Sequence, residues 1–196
     1  MAQSPKRSFR SLSVASILIA TFLLGAAWLA LSRHPDYWLQ VASRAGAPRA
    51  VPVLVSLGAD PSPIKVEDQP LWQAALRGNV STVRALLDAG SDIHASDDFA
   101  LATAAKYGQT ETVRLLLDRG ANFHAQNDWA LRVAANAGHL ATVRELLNAG
   151  ADAHAANDEA LRWAQESGHP DVVQLLQKHT GRDTPDSQSR IGPNNG

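Results

Sequence analysis

Histidines recur at a fixed spacing between residues 94 and 154, and imidazole is a common metal ligand. His94, His124 and His154 follow one another at intervals of 30 residues. Stacked repeats place equivalent atoms roughly 10 Å apart, whereas zinc holds its ligand nitrogens at about 2.0–2.1 Å. The three rings therefore cannot share one ion. We expect no metal or cofactor, and we expect each ring to hydrogen-bond the neighbouring connecting segment.

Motifs of well-known enzyme classes are absent from the sequence. There is no Gly-x-Ser-x-Gly segment, no His-Glu-x-x-His segment and no glycine-rich phosphate loop. The lack of cysteine excludes disulfides, thiolate metal sites and cysteine nucleophiles. We therefore predict a protein without catalytic activity. The alternative is a small enzyme with an unrecognised site between repeats, which would need a deep pocket containing perturbed acid or base groups.

The histidine spacing is part of a longer repeat of 30 residues. Glycines recur at the same interval in two columns, Gly78, Gly108, Gly138 and Gly168, and Gly90, Gly120 and Gly150. Apolar residues between them recur at i, i+3 and i+4, which predicts two short helices in each unit. The first glycine would allow a tight turn between the helices, and the second would end the second helix. Asp98, Asp128 and Asp158 precede the first helices, and we expect their carboxylates to cap free helix amides.

Five units can be placed between residues 37 and 180. They are a degenerate unit at 37–68, full units at 69–98, 99–128 and 129–158, and a capping unit at 159–180. Pro52 should shorten the second helix of the degenerate unit. In the last unit Gln165, Gln177 and Thr180 replace apolar or small residues, as a terminal repeat that faces water requires. We predict an all-α helix-turn-helix solenoid of about five repeats, followed by a disordered tail at 181–196.

The repeat resembles the ankyrin repeat over residues 37–180. The similarity lies in the Ala-Ala-x-x-Gly turn, the Gly-His pairs at 138/139 and 168/169, and the Val-x-x-Leu-Leu helix. The common period of that family is about 33 residues, with a Thr-Pro-Leu-His motif. The units here have 30 residues and lack that motif. The resemblance implies a protein-interaction domain whose turns between repeats are shortened.

The resemblance also implies where a partner would bind, because first helices and turn tips line a concave face in ankyrin arrays. The positions of this chain that fall there are Trp72, Arg77, Asp97, Phe99, Lys106, Tyr107, Asn127, Trp129, Arg132, Asn136, Arg162 and Glu166. Trp, Tyr and Arg contribute most to the energetics of many interfaces. For each aromatic residue the alternative is packing between repeats. That alternative is favoured for Trp163, whose column also contains Val133.

An apolar segment precedes the repeats. No charged residue lies between Arg10 and Arg33, a run of 22 residues, and about 20 helical residues span the hydrocarbon core of a bilayer. We predict a basic flank at 1–11 and a transmembrane signal-anchor at 12–31. The basic flank favours a cytoplasmic N-terminus and a repeat domain on the exported side, which is the periplasm in a bacterium. The alternatives are a cleaved signal peptide, which would release a soluble exported binding protein or inhibitor, and a buried helix.

The net charge narrows the class of partner. The chain has 18 basic and 19 acidic residues, a net charge of −1, whereas nucleic-acid binders normally carry a basic surface. Positions 69–180 contain 9 basic and 13 acidic residues, a net charge of −4, which favours a protein partner with a basic patch. We predict a membrane-anchored protein that binds another protein, with no nucleic acid and no small-molecule substrate.

Overall fold

The computed structural model describes residues 33–63 and 69–181. Within them the chain forms ten helices and no β-strand. The helices are α1 (Pro35–Ala45), α2 (Ala50–Ser56), α3 (Pro70–Leu76), α4 (Val80–Asp88), α5 (Ala95–Lys106), α6 (Thr110–Asp118), α7 (Ala125–Asn136), α8 (Leu140–Ala149), α9 (Ala155–Glu166) and α10 (Pro170–His179). The predicted flank at 1–11, the predicted membrane segment at 12–31 and residues 182–196 of the predicted tail lie outside the described residues. None of the helices in the described ranges has the length and hydropathy that a bilayer span needs.

The helices form five antiparallel pairs that stack along one axis. Each odd-numbered helix packs against the even-numbered helix that follows it and against the next odd-numbered helix. The odd-numbered helices, here called first helices, thus form one layer, and the even-numbered second helices form the other. This arrangement confirms the predicted all-α solenoid of helix-turn-helix units.

The core consists of equivalent residues from every unit. The first helices contribute Leu39, Leu71, Leu101, Leu131 and Leu161, and the second helices contribute Val51, Val83, Val113 and Val143. In the last unit the fully buried valine is Val172, at the position of Thr142 in the unit before. Leu39 and Val51 of the degenerate first unit are fully buried like their counterparts, so this unit packs as the others do. Its second helix, α2, has 7 residues, whereas α8 has 10. The predicted shortening of the helix that contains Pro52 is therefore confirmed.

A polar side chain at the start of a second helix links each repeat to the one before it. His139 Nε2 donates to the backbone carbonyl of Lys106 at 3.1 Å. The equivalent bonds run from His169 to Asn136 at 3.1 Å and from Gln109 to Leu76 at 3.3 Å. The His139 ring lies against Gly108, where a Cβ atom would be 2.6 Å from Nδ1. Because Gly108 also has a φ of +67°, the turn needs glycine both for its conformation and for space.

The connectors between repeats contain a left-handed turn that the sequence analysis did not predict. Three consecutive residues have positive φ angles in each of the segments 96–98, 126–128 and 156–158, and none of the nine is glycine. The ranges of α5, α7 and α9 include these turns. Asn and Asp, which tolerate this conformation better than most residues, occupy the last two of the three positions in each segment, and the first position is Ser96, Gln126 or Ala156. The right-handed part of each first helix begins directly after the turn.

The aspartates at the ends of these turns have a different role from the predicted one. The buried carboxylate of Asp98 accepts a hydrogen bond from the amide of Asn122 in the next connector at 2.8 Å. It also lies 3.1 Å from Nδ1 of His94. Asp128 likewise accepts from the amide of Asp152 at 3.0 Å. For Asp98 and Asp128, a bond to the next repeat therefore takes the place of the expected capping bond to the helix of the same unit.

The repeated histidines also differ from expectation. Each ring pairs with the aspartate of its own connector, His124 with Asp128 at 3.1 Å and His154 with Asp158 at 2.6 Å, and not directly with the neighbouring connector. The carboxylates of Asp98 and Asp128 also accept from the next connector. These two His–Asp pairs therefore belong to the stacking contacts. In the described part of the chain, no three His, Asp or Glu side chains are grouped as a metal ion would require.

The left-handed turns predict opposite signs for two Ala→Gly substitutions. Ala156 has a φ of +50°, which costs an alanine about 1–2 kcal/mol. Ala156→Gly should therefore stabilise the protein by about 0.5 kcal/mol after the larger loss of chain entropy for glycine. Ala85, in the middle of right-handed α4, is equally half-buried, and Ala85→Gly should destabilise by about 1 kcal/mol. Urea denaturation followed by circular dichroism measures both. If both substitutions lowered the free energy of unfolding equally, the left-handed conformation of Ala156 would be contradicted.

Candidate functional site

A pocket of about 300 Å³ opens on the layer of first helices. Three successive first helices, α3, α5 and α7, form its walls. The residues that line it are Trp72, Leu76, Phe99, Ala102, Thr103, Lys106, Tyr107 and Trp129. Five of these are predicted binding residues, namely Trp72, Phe99, Lys106, Tyr107 and Trp129. The structure therefore brings together residues that are up to 57 positions apart in the sequence.

Aromatic side chains form one end of this pocket. Trp72, Phe99 and Trp129 each occupy the first turn of the right-handed part of their helix, and all three are half-buried. The Trp72 and Phe99 ring centroids are 6.1 Å apart and the rings are tilted by 41°, a separation typical of interacting aromatic pairs. Phe99 and Trp129 occupy the same position of successive repeats, whereas Trp72 lies at the position that Ala102 occupies in the next repeat.

Lys106 and Tyr107 form the other end of the pocket, at the C-terminus of α5. Tyr107 is 51% exposed, one of the few large hydrophobic residues with so much free surface. The Lys106 ammonium lies 5.7 Å from the centre of the Tyr107 ring. No carboxylate within residues 33–63 and 69–181 comes within salt-bridge distance of Lys106. The pocket therefore has one cationic end and one aromatic end.

The guanidinium of Arg132 packs against the Trp129 ring. Its guanidinium carbon lies 4.8 Å from the centre of the Trp129 ring and 5.4 Å from that of Trp163. The two indoles contact each other edge to face, with centroids 5.8 Å apart and planes at 82°. Trp163 thus packs between repeats, as its column predicted. Arg132 and Trp163, which also contact each other, therefore hold the Trp129 ring in one orientation.

The charge of Arg132 is balanced inside the protein. Its guanidinium forms a salt bridge with Glu159, and its side chain is only 13% exposed. It also donates to the backbone carbonyl of Gln126 at 3.1 Å, in the left-handed turn. Arg162 bonds the same Glu159 at 3.2 Å but is 52% exposed. Of these two predicted binding residues, Arg132 is therefore committed to internal contacts and Arg162 lies at the surface.

The remaining predicted residues lie on the same side of the solenoid but outside the pocket. Asp97 and Asn127 are exposed in the left-handed turns, and Arg77 and Glu166 are exposed at the ends of first helices. Asn136 is also exposed, and it accepts a hydrogen bond from Ser167 Oγ at 2.8 Å. These five residues, here called the polar border, add polar and charged side chains to the same layer of helices.

Three lining residues, Leu76, Ala102 and Thr103, are absent from the predicted set of binding residues. Leu76 and Thr103 each follow a predicted aromatic residue by four positions, Trp72 and Phe99 respectively. Residues at i and i+4 share one face of a helix. This spacing therefore contained the signal that could have identified them.

The opposite side of the solenoid, formed by second helices, carries a ladder of ion pairs. Arg114 bonds Glu111 at 2.9 Å and Glu145 of the next repeat at 2.7 Å. The hydrogen bond from Arg114 lowers the pKa of Glu145 below its ordinary value, against a smaller opposing effect of burial. Cations on this side of the solenoid are therefore paired with carboxylates in part, whereas Lys106 in the pocket is not paired with any carboxylate of the described residues.

Together these features define a helical repeat protein whose layer of first helices presents a preformed pocket with a polar border. A family model described as ankyrin repeats (3 copies) matches residues 39–127 and 124–188. The match covers most of the chain, which therefore belongs to the ankyrin-repeat family, a fold that serves protein–protein interaction. No curated protein shows significant similarity to the chain.

Proposed function

We propose that this chain is a membrane-anchored ankyrin-repeat protein that binds a protein partner through the surface of its first helices. The pocket bounded by Trp72, Phe99, Tyr107 and Trp129 is the observation that carries the proposal. It places four aromatic side chains on one face, with Lys106 beside them. Buried aromatic and cationic anchors surrounded by a polar border are the usual composition of an interaction hot spot.

The rigidity of the pocket supports a binding role. Trp129 is held by Arg132 and Trp163, and Arg132 is held in turn by Glu159. A side chain that is already ordered loses little conformational entropy when a partner binds. The aromatic end of the pocket is therefore preorganised for an apolar group.

A binding function without catalysis fits the chemistry of the pocket. Lys106 and Tyr107 are its titratable lining residues, and neither is paired with a second acid or base in the described residues. General acid–base catalysis requires positioned groups within about 2.6–3.2 Å of the reacting atoms or of each other. The pocket supplies apolar contact and one positive charge, which are the elements of recognition.

Position-dependent crosslinking tests the binding proposal. A photoreactive phenylalanine analogue at Tyr107, in the full-length chain expressed in its native cells, should crosslink one discrete partner protein. The same analogue at Arg84, which is exposed on second helix α4, serves as the control and should give no such product. A product of equal yield at Arg84, or a product at Arg84 alone, would contradict binding through the first helices.

The proposed anchor rests on the sequence of residues 12–31, which contains no charged residue and is long enough for a bilayer span. Because the chain contains no cysteine, a single Ser187→Cys substitution gives one labelling site in the tail. A membrane-impermeant maleimide added to intact cells should label this site, and the labelled chain should have its full-length mass. A chain shortened by roughly 30 residues would show a cleaved signal peptide. Labelling only after lysis would contradict export.

A further inference from the structure

We infer that the pocket between α3, α5 and α7 binds a peptide segment of the partner in which an apolar side chain lies next to a carboxylate. This inference rests on the proposed function and specifies the chemistry of the partner. The occupant is a segment with Phe, Trp, Leu or Met adjacent to Asp or Glu. The inference depends on the charge of the pocket, on its size, and on the difference between its aromatic end and its cationic end.

The sign of the charge at the pocket is opposite to that of the domain. Positions 69–180 carry a net charge of −4, yet Lys106 is the only residue lining the pocket that is charged at neutral pH. Arg77 follows the lining residue Leu76 and is also exposed. Neither cation has a salt-bridge partner in the described parts of the chain. Complementarity at this place therefore requires an anion, although the domain as a whole is acidic.

The same charge argues against a cationic occupant. Aromatic side chains attract cations through their faces, so the rings of Trp72, Phe99 and Trp129 alone would suit a lysine or a quaternary ammonium group. A cation in a pocket of this size would lie close to Lys106, and no lining carboxylate would offset the repulsion. The Trp129 ring already has a cationic partner, Arg132, whose guanidinium carbon lies 4.8 Å from the ring centre. An uncharged apolar group is thus the better occupant of the aromatic end.

The size of the pocket favours part of a larger molecule. About 300 Å³ is at the lower limit of the volumes that small-molecule sites occupy, roughly 300–1,000 Å³. It suits one or two amino-acid side chains. The exposed border formed by Asp97, Asn127 and Asn136 continues the surface beyond the pocket, as the backbone of a peptide would need.

The two ends of the pocket set the orientation of the occupant. Trp72, Phe99 and Trp129 lie in the first right-handed turns of their helices, whereas Lys106 and Arg77 lie at the C-termini of α5 and α3. The apolar side chain of the occupant should therefore contact Phe99 and its neighbours. Its carboxylate should point toward Lys106.

Selection from a random-peptide phage library tests this inference with the full-length chain reconstituted in lipid nanodiscs. The enriched peptides should place an aromatic or aliphatic residue beside Asp or Glu. Lys106→Glu should weaken a synthetic peptide of this kind about tenfold in fluorescence anisotropy, because it converts an attraction into a repulsion. Arg84→Glu makes the same change of charge on α4 and should change the affinity by less than about twofold.

The outcomes separate this inference from the proposed function. Peptides that carry Lys or Arg beside the apolar residue, and that bind Lys106→Glu more tightly than the original chain, would overturn the inference and leave peptide binding through the first helices intact. Peptides whose affinity is insensitive to both Lys106→Glu and Phe99→Ala would overturn both. If 3-phenylpropionate bound as tightly as the best peptide, the occupant would be a free carboxylic acid, and the assignment to a peptide would be wrong.

Discussion

Replacing Gly108 by alanine should lower the free energy of unfolding by about 3 kcal/mol, one of the two largest effects that we expect from a single substitution. The left-handed backbone at this position costs a residue with a Cβ about 1–2 kcal/mol. The new Cβ would also meet the His139 ring, 2.6 Å from Nδ1, and such overpacking typically costs about 1–3 kcal/mol. Urea denaturation of the two chains, followed by circular dichroism, measures the difference.

Gly120→Ala is the matched control for Gly108→Ala. Gly120 has a φ of +92°, and no atom lies within 4 Å of the position its Cβ would take. It should show the conformational cost alone, about 1–2 kcal/mol. In a His139→Ala background, the cost of Gly108→Ala in free energy of unfolding should fall to the same value, because the clash with the ring is removed. An unchanged cost of 3 kcal/mol in that background would show that the His139 ring does not press on the turn.

Replacing Arg132 by alanine should cost about 3 kcal/mol. The substitution removes a largely buried salt bridge to Glu159, and breaking such a pair typically costs about 3–5 kcal/mol. It also removes two stacking contacts of the guanidinium, each about 0.5–2 kcal/mol. We expect a value near the lower limit because Glu159 is 18% exposed and retains Arg162. Urea denaturation again measures the change.

Arg162→Ala provides the control on the same carboxylate. Its side chain is 52% exposed, and exposed ion pairs contribute about 0–1 kcal/mol, so its loss should cost about 0.5 kcal/mol or less. Arg132→Lys should restore only part of the lost stability, because an ammonium group does not reproduce the planar contacts with Trp129 and Trp163. Equal costs for Arg132→Ala and Arg162→Ala would contradict a special role for Arg132.

Much of the fold could be predicted because its main determinants are local. The 30-residue spacing, the apolar positions at i, i+3 and i+4, and the turn glycines are visible in one sequence. The degenerate unit predicted at 37–68 also packs into the core, where its Leu39 and Val51 are fully buried. These signals depend on helix periodicity, which a single unit already displays.

The connectors could not be predicted in the same way. A residue such as Ala156 carries no local signal for a φ of +50°, because alanine disfavours that conformation. The turn depends on contacts between repeats, including the bond from the Asn122 amide to Asp98. Those contacts exist only after the units have stacked.

Part of the lining of the candidate pocket could be predicted from the sequence, but the pairing of its charged side chains could not. Residue types and their positions on the first helices identified Trp72, Phe99 and Tyr107. The sequence could not show that Arg132 forms a salt bridge with Glu159, whereas Lys106 has no carboxylate partner in the described residues. That distinction depends on side chains from different repeats, and it determines which of the cations a partner can use.

The most direct test of the binding proposal compares two exposed tyrosines. Tyr107 in the pocket is 51% exposed, and Tyr37 on α1 is 60% exposed. The affinity of the full-length chain for the partner crosslinked at position 107 should fall at least about tenfold in Tyr107→Ala, as expected for a hot-spot residue. Tyr37→Ala should leave the affinity unchanged. Loss of affinity in Tyr37→Ala together with full affinity in Tyr107→Ala would show that the partner binds elsewhere on the solenoid.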